Sequence, residues 1–151
     1  MLIKQVIPEE FCLKCLGCCR FSQQESIWSP QLLEEEKQKL GEILIVANPS
    51  LDNFVCQHLK LSGNKCKIYA DRPFECQLYP FLFARRNGRF FLALDLNCAY
   101  VRQSNSEFQF QQYTRSLIEL IQTPAYLDIL RNNPQLFQDY EGALDLIELK
   151  V

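Results

Sequence analysis

Cys12-Leu13-Lys14-Cys15-Leu16-Gly17-Cys18-Cys19-Arg20 is the stretch on which this chain turns. It places half of the eight cysteines within eight consecutive residues, in a C-x2-C-x2-C-C pattern. Two intervening residues let paired sulfurs turn toward one centre, with the backbone N–H groups of the turn pointing at them. Gly17 is expected to relieve the backbone where the chain folds back between Cys15 and Cys18. Four thiolates so close repel one another and titrate upward unless a cation neutralises them. A bound metal ion or an iron–sulfur cluster resolves that conflict.

Buried free cysteines account for one or two positions, not for this run. Disulfides are the stronger rival, since the count is even, but disulfide frameworks belong to short secreted chains with weak cores. Here 151 residues and 48% hydrophobic content suffice for a core. Met1 to Glu10 reads MLIKQVIPEE, where Pro8, Glu9 and Glu10 interrupt any apolar run, so no secretory leader and a cytoplasmic setting are expected. A net charge of −2 argues against general nucleic-acid binding, and no apolar run approaches a membrane span. Glycine-rich phosphate-binding patterns are absent, and one histidine leaves little for acid–base chemistry.

A second cysteine group follows, with Cys56, Cys66 and Cys76 each separated by nine residues, and then Cys98. Ser62-Gly63-Asn64 signals a turn, so 54–61 and 65–70 are expected to pair as a hairpin. Asp71-Arg72-Pro73 is expected to open a short helical turn with Asp71 as cap, leaving Cys76 near its positive end, where a thiolate is favoured. Arg72 is read as fixing that turn and offsetting thiolate charge. His58 is the one alternative ligand type, though a lone histidine is more often an ordinary residue.

Elsewhere the signals are those of a scaffold. LIKQVI at 2–7 reads as a short strand, and Ser29-Pro30 as the start of a helix running to about Ala47. Asn87-Gly88 is the preferred turn of a tight β-hairpin, with apolar strands before and after it and solvated Arg85, Arg86 and Arg89 at its tip. Phe110, Tyr113, Leu117, Leu120 and Ile121 mark an amphipathic helix over about 106–122. Thr123-Pro124 and Asn133-Pro134 open two shorter helices, and ALDLIELKV after Gly142 reads as a closing strand. The expected fold is α+β: one small domain over 1–151, its metal-binding part about 10–100 and its helical carboxy-terminal part about 104–151. Irregular loops, a hairpin and several short helices would hold the cysteine cluster.

Taken together, Cys12-x2-Cys15-x2-Cys18-Cys19-Arg20, Cys56, Cys66-Lys67-Ile68-Tyr69, Arg72-Pro73-x2-Cys76, Tyr79-Pro80-Phe81 and Cys98 resemble the YkgJ-like cysteine-cluster family of zinc- or iron-chelating domains. The likeness spans roughly residues 10–100. One departure is Gln77, where that family often has arginine. The resemblance implies metal binding, with Cys12, Cys15, Cys18, Cys19, Cys56, Cys66, Cys76 and Cys98 as ligands to zinc or an iron–sulfur cluster. Cys12, Cys15 and Cys18 match the first ligands of a bacterial ferredoxin run, but Cys19 does not fit its fourth. All-cysteine sites equally suit tetrahedral zinc. Metal handling or electron transfer is the first expectation. Flagellin lysine methylases are similar through this region, so an iron–sulfur enzyme or accessory subunit is an alternative. A structural zinc module that docks a partner, protein or nucleic acid, is another. Apart from the cysteines no nucleophile or acid–base pair stands out, which favours a binder over an enzyme.

Overall fold

The Asn87-Gly88 hairpin forms as read. In the computed structural model, which describes residues 3–151, β6 (Phe81–Arg86) and β7 (Arg89–Asp95) pair antiparallel, with Arg86 opposite Arg89. Asn87 at φ 49° and Gly88 at φ 76° take the left-handed geometry that lets a two-residue turn match strand twist. The closing strand also forms: β8 (Ala143–Leu149) adds to β7, completing a β6-β7-β8 sheet. Arg86 pairs with Asp139 at 2.7 Å and Arg89 with Glu148, so the tip cations meet local carboxylates.

These elements belong to the second of two compact units, Leu78–Val151. Its helices are α4 (Ala99–Ser104), α5 (Phe108–Ile121) and α6 (Pro124–Asn132). The 3.6-residue spacing of Phe110, Leu117 and Ile121 puts all three in the core. Phe81 stacks on Phe110 with ring centroids 5.9 Å apart, and Phe83 meets Phe137 edge-on at 5.6 Å. Thr123-Pro124 starts α6, whereas Asn133-Pro134 yields only a 3-10 turn, Pro134–Leu136. Short α4 lay outside the sequence reading.

The first unit, Met1–Gln77, is built from small pieces. These are α1 (Glu9–Lys14), β1 (Arg20–Phe21), α2 (Glu34–Leu40), β2 (Ile45–Ala47), β3 (Phe54–Cys56), β4 (Leu59–Lys60) and β5 (Lys65–Cys66). A 3-10 turn, Tyr69–Asp71, then leads to α3 (Phe74–Leu78). Strands β1, β3 and β2 form one antiparallel sheet, β4 and β5 a separate hairpin. Phe21, Ile45 and Cys56 make a buried cluster joined by Cys19, Trp28, Ile43 and Phe54.

Several local expectations are corrected here. Residues 3–7 are not a strand (residue 2 lies outside the described residues). Ile3 and Ile7 are buried, but the Ile3 N–H donates to the side-chain oxygen of Gln77 at 2.9 Å, replacing a strand partner. The helix read from Ser29-Pro30 starts at Glu34 instead, because the Glu36 carboxylate accepts the Leu33 N–H at 2.9 Å. It stops at Gly41, whose φ of 71° is costly for other residues, and Ile45–Ala47 joins a sheet. Asp71 is not the α3 cap; it pairs with Lys39, and the Phe74 N–H is accepted by Glu36 from α2 at 2.6 Å. The hairpin around Ser62-Gly63-Asn64 is present but shorter, pairing Leu59 with Cys66 and Lys60 with Lys65.

Among the described residues no helix is long and apolar enough to cross a membrane. The architecture is mixed α+β, with six α-helices and three small antiparallel sheets among the described residues.

Leu92, fully buried and opposite Phe83, tests where the stability of the second unit resides. Leu92→Ala is expected to lower unfolding free energy by about 2–5 kcal/mol in urea titration. Leu144→Ala, at a half-exposed position of β8, should change it by about 0.5 kcal/mol or less. Equal losses in the two variants would contradict the packing described.

Candidate metal centre

The C-x2-C-x2-C-C run begins on α1. Glu9 and Glu10 in its first turn and Lys14 in its last suit the helix dipole. The helix ends at Cys15, whose N–H is shared between the Phe11 and Cys12 carbonyls. The left-handed residue of the run is Cys19, at φ 60°, and not Gly17. Gly17 lies beside a sulfur instead: a Cβ there would stand 3.5 Å from Cys15 Sγ. The Cys19 geometry separates two adjacent cysteines. Cys18 is exposed, while Cys19 packs with Phe21, Ile45 and Cys56.

Strand pairing then carries distant cysteines to this place. Arg20 pairs with Val55 and Ile45 with Cys56, and the Cys56 N–H donates to the Cys19 carbonyl at 3.0 Å. The short β4–β5 hairpin brings Cys66 opposite Leu59. Cys76 follows on α3. All eight cysteines are free thiols. Cys12, Cys15, Cys19, Cys66 and Cys76 are half-buried, Cys56 and Cys98 buried.

Electrostatics shows which thiols act on one another. The Cys19 thiol is pushed up from 9.0 to about 12, chiefly by burial, with Cys56, Cys66 and Cys12 contributing and Arg20 opposing them. Burial also raises Cys76 well above the ordinary value, with Cys19, Glu75, Cys56 and Cys66 adding to it. The helix-end effect expected at Cys76 is therefore overridden, since a five-residue helix offsets little of the burial. Cys56 is raised by burial and by Cys66, but the backbone N–H groups of His58 and Leu59 and the charge of Lys67 hold it down. Cys12, Cys19, Cys56, Cys66 and Cys76 thus form one interacting set.

Cys15 and Cys18 lie in the same loop but outside the interactions just named. Cys98 belongs to the second compact unit, at the start of α4. Among the described residues no group of three or more His, Cys, Asp or Glu side chains is posed to hold a metal ion. The donor chemistry nevertheless fits a thiophilic cation. Several thiols share a poorly solvated place, where Cys19, Cys56 and Cys76 are each raised by burial and by thiol neighbours, with N–H groups aimed at one sulfur.

Arg20 and Lys67 offset thiolate charge at Cys19 and Cys56. Arg72 does fix the turn: its guanidinium donates to the Tyr69 carbonyl at 2.9 Å and to Gln5, and stacks 3.9 Å over the Tyr69 ring. Gln77 is buried, accepting from Ile3 and donating to the Arg72 carbonyl at 2.9 Å. An amide supplies both roles where an arginine has no acceptor. His58 contributes its backbone, and its ring lies 3.2 Å from the Gln57 amide.

Two residues escaped the sequence reading. Glu75 Oε2 accepts the Gln31 N–H at 2.6 Å, its Oε1 is buried without a hydrogen-bond partner, and burial pushes its carboxyl up to about 8. Asn64 reads locally as a turn residue, yet its side chain reaches the carbonyls of Cys12, Leu13 and Cys15. Neither signal is local, because the partners lie 44 or more residues away.

No curated protein and no solved structure matches the chain significantly. A family model does, over residues 11–99, a span that contains all eight cysteines. The chain belongs to the CxxCxxCC family, described as a "Putative zinc- or iron-chelating domain".

Proposed function

We propose that the protein chelates zinc or iron through cysteine thiolates and serves metal handling or electron transfer. The observation that carries this reading is the interacting set of Cys12, Cys19, Cys56, Cys66 and Cys76. Cys15 and Cys18 extend the donor pool within the same loop. These seven lie in the first unit, and Cys98 enters the proposal through the family match alone. Bound there, a cation would supply the positive charge that five thiolates in an apolar setting require. Arg20 and Lys67 each lower the cost of ionising one sulfur, and the N–H groups of His58 and Leu59 favour the Cys56 thiolate. Cytoplasmic location belongs to the same proposal, because reduced thiols are maintained there.

Anaerobic purification with metal analysis and visible absorption tests the reading. Retained zinc in a colourless protein supports a zinc chelator. Iron with reducible visible bands supports a cluster and electron transfer. The Cys19→Ser and Cys56→Ser variants are expected to lose most of the bound metal. Protein that carries no metal, and takes up none under reducing conditions, overturns the proposal.

Protonation gives a second test. The folded Cys19 value of about 12 lies above the ordinary 9.0, so the metal-free fold favours the neutral thiol. That stabilisation is fully present below pH 9 and is lost as pH rises toward 12. The thermal midpoint of metal-free protein should therefore fall with pH above about 9. Metal-loaded protein should show the opposite sensitivity, releasing metal as acid protonates its ligands. A metal-free midpoint that rises between pH 9 and pH 11 would contradict the burial of these thiols.

A further inference from the structure

Asn64 sits at the end of the β4–β5 turn at φ 53°, a left-handed geometry that asparagine tolerates better than most residues. Its local role is then complete: its N–H meets the Leu61 carbonyl at 3.4 Å and the hairpin closes. A turn asks nothing more of the side chain. Yet Nδ2 lies 3.0 Å from the Cys12 carbonyl and 3.2 Å from that of Leu13, and also donates to Cys15. On its other side Oδ1 accepts from Arg20 Nη1 at 2.7 Å, and the same nitrogen approaches the Cys18 carbonyl at 3.4 Å.

The amide can be oriented only one way. Reversal would set an oxygen against three carbonyl oxygens and an NH2 group against a guanidinium. The three carbonyls lie at the end of α1, where a helix leaves its last acceptors short of backbone partners; the Cys12 carbonyl also accepts the Cys15 N–H at 3.2 Å. One side chain therefore ties the backbone at Cys12 and Cys15 to the hairpin that carries Cys66. It also holds Arg20, the cation that lowers the Cys19 thiol.

We propose that Asn64 is the positioning residue of the thiol cluster, setting the relative placement of the C-x2-C-x2-C-C loop and Cys66 for metal uptake. The proposal rests on the metal-chelating reading above. A sulfur's direction follows from its backbone, and fixing the Cys12 and Cys15 carbonyls restricts where both sulfurs point. Groups that orient ligands in this way commonly govern metal affinity by about 10- to 100-fold.

The test uses Co(II) as probe, titrated anaerobically into reduced full-length protein against a competing chelator. Asn64→Asp is nearly isosteric and tolerates the same φ, but presents an acceptor to the three carbonyls. It is expected to weaken Co(II) binding by about tenfold or more and to alter the visible spectrum of the bound ion. Ser62→Ala, in the same turn, should keep wild-type affinity and spectrum. A purely structural role for Asn64 would lower the thermal midpoint of metal-free protein and leave the spectrum of bound Co(II) unchanged, and that result overturns the proposal. Should Asn64→Asp fail to fold, Asn64→Gly removes the amide without backbone strain and is read the same way. Wild-type protein that takes up no Co(II) overturns the metal reading and this proposal together. Wild-type uptake with an unaltered Asn64→Asp spectrum overturns this proposal alone.

Discussion

Thiols gathered in an apolar setting must stay protonated or share a cation. That constraint governs the first unit. Cys19 and Cys56 pack among Phe21, Ile45, Trp28 and Phe54, so each is poorly solvated before any sulfur is charged. Charge on one sulfur then raises its neighbours, as the effects of nearby thiols on Cys19, Cys56 and Cys76 show. Hydrophobic packing gathers the sulfurs, and the same packing makes them unstable as free thiolates.

The first unit has little regular structure with which to enforce this arrangement. Its strands are two or three residues long, and its helices five to seven. Side chains therefore do what backbone ladders do elsewhere. Glu36 accepts the N–H of Leu33 and that of Phe74, joining the starts of α2 and α3. Gln77 bridges Ile3 and the Arg72 carbonyl. Asn64 gathers three carbonyls and Arg20. Each adds hydrogen bonds to backbone groups that these short elements do not fully pair among themselves. The second unit, by contrast, has a three-stranded sheet, three helices and stacked aromatic rings.

Legibility followed the range of the interaction. Asn87-Gly88, the Phe110–Ile121 stripe, Thr123-Pro124 and the ALDLIELKV strand were readable because each signal lies within a few residues of the structure it makes. Residues 3–7 and the span after Ser29-Pro30 depart from their local signals, because Gln77 and Glu36 intervene through the fold. In the cysteine run Cys19, not Gly17, takes the left-handed conformation, which puts its thiol inside while Cys18 stays out.

By itself the sequence determined that this is a thiol-rich α+β chain, because cysteine spacing and hydrophobic periodicity are properties of neighbours along the chain. It also carried the family, since the motif residues are read in order. Only the tertiary structure decided which thiols feel one another, which cations lie beside them and which amide holds the loop. Those depend on contacts across tens of residues, where burial and charge act through space and leave no periodic trace in the chain.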